Sequence, residues 1–91
     1  MLKLCIATVS LMALTATAFA ADPRFCEEYS TSAVRQARAA HTTPTCAPGA
    51  IGGRWTEDYR VHYSWCITAA YPAAEAEREM RTRYLRSCRG G

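Results

Sequence analysis

The chain reads as an all-α protein: a small three-helix domain stapled by two disulfides behind a cleavable signal peptide. Three observations carry this. Four cysteines, Cys26, Cys46, Cys66 and Cys88, recur at intervals of 20, 20 and 22 residues. An apolar leader precedes them. Three segments with helical spacing of apolar residues follow it, separated by Pro and Gly. An even number of cysteines in a short exported chain indicates a disulfide framework.

The leader comes first. Lys3 is the only charge in a short n-region, Leu4 to Leu14 is largely apolar, and Ala18-Phe19-Ala20 has the small-x-small pattern cut after Ala20. A membrane anchor is the rival explanation. The apolar run is broken by Thr8, Ser10, Thr15 and Thr17, whereas a spanning helix needs ~20 apolar residues. Residues 1–20 are therefore expected to be a signal peptide and 21–91 a single domain, with Cys5 lost at cleavage. No membrane span should remain.

The mature chain keeps ten arginines against eight acidic residues and no lysine. Its mixed, weak positive charge gives no reason to expect nucleic-acid binding. It has no asparagine, so N-linked glycosylation is excluded. A core of fewer than ~70–80 residues seldom supplies more than ~3–5 kcal/mol. Crosslinks must then carry much of the stability.

The first helix opens at Asp22-Pro23, a cap followed by proline at the first helical position. Phe25/Cys26, Tyr29, Ala33, Ala37 and Ala40 follow at helical spacing, with Glu27 and Glu28 in or near the first turn. Thr42-Thr43-Pro44 should end it near Ala40 or His41. Residues 42–53, with Pro44, Pro48, Gly49, Gly52 and Gly53, read as a loop without regular structure, tied down by Cys46.

The second helix is expected to start between Arg54 and Glu57, with Thr56 as a possible cap, and to run to about Thr68. Trp55, Tyr59, His62 and Cys66 then share a face, with Val61 and Trp65 on a neighbouring one. Tyr59 to Ile67 is also rich in strand-forming residues, but no second strand is available to pair with it. The third helix opens at Pro72. Ala73, Ala76, Met80, Tyr84 and Cys88 make its apolar stripe, and Glu77–Arg81 and Glu79–Arg83 are i,i+4 pairs on a solvated face. Arg89-Gly90-Gly91 reads as a frayed tail.

Short connections make consecutive helices antiparallel. Cys26 then shares one end of the bundle with Cys66, and Cys46 shares the other with Cys88. Bridged Cα atoms lie within ~7 Å, whereas ~15 helical residues span ~22 Å. The expected pairing is Cys26–Cys66 and Cys46–Cys88.

Asp58, His62 and Cys66 at i, i+4 and i+8 stack on one helix face. A nucleophilic Cys–His–Asp set would need a free thiolate and an oxyanion site. Cys66 is expected to be oxidised, so no catalytic residue is assigned. Close ligand pairs such as C-x2-C are missing, so neither a metal site nor a cofactor is assigned. Asp58 and His62 read instead as a structural polar pair beneath Trp55 and Trp65. Trp55, Tyr59, Tyr63, Trp65 and Tyr71 fall within 17 residues and form a possible binding surface. The plainer alternative is that the middle helix, packed on both sides, supplies the bulk of an alanine-rich core.

The pattern Cys26-x2-Tyr29-x3-Ala33-Val34-x-Gln36, Cys46, Trp55-x2-Asp58-x3-His62-x2-Trp65-Cys66, and Leu85-x2-Cys88 spans most of the mature chain. It resembles an uncharacterised family of small cysteine-containing helical domains in exported proteobacterial proteins. Ser30 stands where that family usually has alanine, and Ala47 where glycine follows the cysteine. The resemblance implies an exported module whose motif residues hold a fold or present a surface. The expected function is thus a secreted or periplasmic, non-catalytic interaction domain for an envelope protein or glycan. The alternative is a small hydrolase or enzyme inhibitor using the Asp58/His62 region.

Overall fold

The computed structural model describes residues 20–90. Residues 1–19, on which the expected signal peptide falls, and Gly91 lie outside the described residues. Three helices make up the domain: α1 (Pro23–His41), α2 (Tyr59–Thr68) and α3 (Tyr71–Gly90). No strand occurs among the described residues, only an isolated antiparallel bridge between Ala20 and Ala70.

Helix α1 begins and ends as its caps dictate. Asp22 Oδ1 accepts from the Phe25 amide at 2.8 Å, and Pro23 takes the first position. Glu27 and Glu28 fall just beyond the first turn. At the far end Thr42 and Thr43 turn their hydroxyls back onto the carbonyls of Arg38 and Ala39, at 2.8 and 2.7 Å. That local competition for helical acceptors stops the helix.

The two disulfides pair as the helix directions require. Cys26–Cys66 joins the start of α1 to the end of α2, and Cys46–Cys88 joins the loop to the end of α3. Each anchors its own apolar cluster. Cys26 and Cys66 pack with Ala21, Tyr29, Ala33 and Ala74. Cys46 packs with Ala37, Ala40, Ala50, Trp55 and Leu85, and Cys88 flanks them. Of the twelve buried apolar residues among those described, nine are Ala or Cys, so little large side-chain area is removed from water.

Helix α1 is the central element. Both α2 and α3 pack on it and scarcely touch one another. This corrects the expectation that the middle helix would be packed on both sides. Small residues explain it: Ala33, Ala37 and Ala40 are fully buried and let neighbours approach the α1 backbone closely.

Three further expectations are corrected. The loop at 42–53 is not irregular throughout: 3-10 turns form at Ala47–Gly49 and Gly53–Trp55. Helix α2 starts later than expected, and Asp58 rather than Thr56 caps it, its Oδ1 accepting from the Arg60 amide at 2.9 Å. Thr56 instead accepts from the Asp58 amide at 3.1 Å, a turn that sets up the cap.

The buried side of α3 is also rotated by one residue. Ala73, Ala76 and Met80 are exposed, Tyr84 and Cys88 are half-buried, and Ala74, Arg81 and Leu85 are buried. An arginine occupies the core position, its guanidinium 5.1 Å from the Tyr29 ring centroid. Nor does the helix fray at Arg89; it continues to Gly90, with Cys88 held by its bridge and its carbonyl accepting from Thr45 Oγ1 at 2.8 Å.

Gly52 has φ of 95°, a left-handed conformation that disfavours any side chain. Gly52→Ala is expected to destabilise the fold by ~1–3 kcal/mol. Gly53→Ala, where an added Cβ meets nothing, should change stability by less than ~0.5 kcal/mol. Equal effects in urea denaturation would contradict this. The bridges close spans of 40 and 42 residues, so the chain-entropy model gives each ~4 kcal/mol. The Cys46→Ser/Cys88→Ser double variant should therefore lose most of the cooperative melting transition. An unchanged transition would refute that dependence.

Candidate functional site

Because α2 and α3 pack on α1 without closing on one another, a cleft of about 440 Å³ remains between them. Tyr29 of α1 lines it. Val61, His62 and Trp65 contribute from α2, and Glu77 and Arg81 from α3. Ile51, Gly53 and Arg54 enter from the loop, aimed there by the turn at Gly52. Ile51 is 76% exposed, Val61 48% and Trp65 40%. Three exposed apolar side chains thus share one concavity.

The charged side of the cleft is built around Arg81. Its Nε donates to Gln36 Oε1 at 2.8 Å. Gln36 Nε2 in turn donates to Thr82 Oγ1 at 3.0 Å. This layer lies at the α1 position between the two apolar clusters. Arg81 Nη1 lies 3.5 Å from the Arg54 carbonyl and 3.9 Å from Glu77 Oε1. Arg54 grips Glu77 with two bonds, at 2.8 and 3.0 Å, a fork-to-carboxylate geometry. Of the two expected i,i+4 pairs on α3, Glu77–Arg81 is thus present at long range. Among the described residues Glu79–Arg83 forms no ion pair.

Asp58 and His62 do not bond to one another, which corrects the expected polar pair. Asp58 is committed to the helix cap. His62 is buried, and its Nε2–H donates to the Thr56 carbonyl at 2.7 Å. Burial is the main cause holding its pKa below the usual histidine value; the Thr56 bond opposes this, and the Arg81 charge adds to the lowering. The imidazole is therefore neutral at neutral pH. Cys66 is in its bridge, so a Cys–His–Asp relay has no thiolate. Among the described residues no group of three or more His, Cys, Asp and Glu side chains is arranged to hold a metal ion.

The five aromatics proposed as one surface separate. Trp55 is buried against Tyr84, centroids 5.0 Å apart, because α2 starts after it. Trp65 leans on Tyr29 at 5.8 Å in the cleft. Tyr59 and Tyr63 stack together at 6.1 Å outside the cleft. Tyr71 packs on Phe25 at 4.7 Å. Sequence reasoning missed Tyr29, Ile51, Arg54, Glu77 and Arg81. A signal for Arg81 was available: Ala74, Arg78, Arg81, Leu85 and Cys88 follow a 4-3-4-3 spacing.

A second polar cluster fastens the loop. His41 Nδ1 bonds Glu57 Oε2 at 2.7 Å, His41 Nε2 bonds the Ala50 carbonyl at 2.9 Å, and Arg38 approaches Glu57 at 3.5 Å. Both acceptors favour the imidazolium, Glu57 most, so the His41 pKa is raised. The same bond, chiefly, lowers the Glu57 pKa.

Comparison of the chain with protein-family models, curated proteins and solved structures returns no match.

The raised His41 pKa contributes stability fully below its unfolded value, and this is lost as pH rises through the folded value. The lowered Glu57 pKa contributes stability above its unfolded value, lost as pH falls through the folded one. The clasp is thus strongest between the depressed Glu57 value and the raised His41 value. His62, lowered, contributes in the opposite sense to His41: its stability is present above the unfolded value and lost as pH falls. In an NMR titration His41 should titrate above an unstructured histidine and His62 below it, and Glu57→Gln should bring His41 back towards the ordinary value. Coincident titration of the two imidazoles would refute the assignment.

Proposed function

We propose that this domain is a secreted or periplasmic, non-catalytic binding module whose cleft between α2 and α3 takes a segment of a partner protein. The observation that carries this is the convergence of exposed Trp65, Val61 and Ile51 on one concavity. Exposed apolar side chains that adjoin in a cleft mark interaction sites more often than scattered ones do. The frame around them is tied at both ends, so little conformational freedom is lost on binding.

A protein segment suits the walls better than a sugar. Glycans stack on flat aromatic faces, and here Ile51 and Val61 give aliphatic, uneven surfaces beside a single tryptophan. Export is supported by two disulfides, which persist in oxidising compartments, and by the leader pattern. Among the described residues no helix is long and apolar enough to cross a membrane.

The test is capture of envelope proteins on the immobilised oxidised domain. Trp65→Ala and Val61→Asp should each reduce recovery of a specific partner at least fivefold, while Tyr59→Ala, outside the cleft, should leave it unchanged. Recovery insensitive to both cleft variants would overturn the assignment. Retention of glycans but not of proteins would replace it with the sugar alternative.

A further inference from the structure

Resting on that assignment of the cleft, we propose that its ligand is an acidic peptide segment: a carboxylate received by Arg81, with an adjoining apolar side chain lying between Trp65 and Val61. Arg81 is 1% exposed, yet its Nη2 donates to no protein acceptor. Its Nε is taken by Gln36, and Nη1 faces Arg54 and Glu77. A buried guanidinium with one terminal nitrogen unspent is costly unless an acceptor completes it. Arginine offers planar, fork-like recognition of carboxylates.

The charge count in the cleft agrees. Two guanidiniums, Arg54 and Arg81, face one carboxylate, Glu77, and His62 beside them is neutral. Glu77 is itself committed to Arg54 by two bonds, leaving only a 3.9 Å approach to Arg81. The cleft therefore carries a net positive charge beside an apolar wall. That combination selects against neutral apolar segments and against acidic segments lacking an apolar neighbour.

Nη2 is covered, so entry of a carboxylate requires neighbouring side chains to shift, and the Arg54–Glu77 pair, which lies beside Nη1, is placed to do so. Both partners are partly solvent-exposed, and exposed pairs open readily in water. Arg54 then becomes a second donor to the incoming carboxylate, and Glu77 its competitor. This sets the sign of an otherwise counterintuitive variant: Glu77→Gln removes the competitor and should tighten binding.

The experiment uses the oxidised mature domain and four probes: N-acetyl-Gly-Leu as free acid, N-acetyl-Gly-Leu-amide, N-acetyl-Leu-Asp-Leu-amide, and glucuronate. Signals of the Trp65 indole N–H and the Arg81 Nε–H are followed by NMR. At least one carboxylate peptide should shift both saturably, with the neutral amide at least tenfold weaker. Binding by the free acid alone identifies a chain terminus, and binding by the Asp peptide alone an acidic side chain; either supports the proposal. Glu77→Gln should tighten the peptide at least threefold, and Val61→Asp, on an exposed position, should weaken it at least fivefold. Equal binding of the neutral amide overturns the anion requirement while leaving a protein-binding cleft. Shifts with glucuronate but with neither acidic peptide overturn the peptide assignment. No shift with any probe overturns the proposal, and recovery of a partner that depends on Trp65 would then show that the cleft binds a different chemistry.

Discussion

Everything in this domain depends on a crosslink at each end of one helix. Among the described residues the core offers only Tyr29, Trp55 and Leu85 as large buried apolar side chains. A core with so few large apolar groups is a weak source of stability for a domain of this size. The bridges act on the other side of the balance. They shorten the unfolded chain's freedom by tying Cys26 to Cys66 and Cys46 to Cys88.

The placement of the crosslinks also shapes the surface. Because α2 is pinned near one end of α1 and α3 near the other, the two need not pack on one another to stay in place. A bundle held by its core alone would gain from closing that gap. Here the gap persists, with exposed apolar side chains on one wall and guanidiniums on the other. Stability and the cleft thus have a common origin. The polar layer of Gln36, Thr82 and Arg81 reinforces it by filling the middle of the molecule with directional bonds in place of interchangeable apolar contacts.

Much of the fold was legible because it rests on local chemistry. Asp22-Pro23 names the start of α1 and Thr42-Thr43-Pro44 its end. The cysteine pairing followed from helix lengths and directions. The failures share a cause. Trp55 looked like part of α2 by spacing, but the competition between Thr56 and Asp58 for the capping role is settled by which backbone amide each oxygen meets. The apolar stripe of α3 was misplaced by one residue because hydrophobicity does not count an arginine as a core residue. Its guanidinium can stand over Tyr29 only once α1 supplies both that ring and Gln36.

By itself, then, the sequence determined the helices, the single small domain and which cysteines bridge, since capping, periodicity and reach are properties of a few neighbouring residues. The tertiary structure alone decided which helix is central, that His62 bonds Thr56 rather than Asp58, and that Trp65, Ile51 and Arg81 meet in one cleft. Those facts depend on the rotation of each helix about its own axis. That rotation is set by contacts summed over the packed helices, such as Arg81 with Gln36 across 45 residues, and no short sequence pattern contains it.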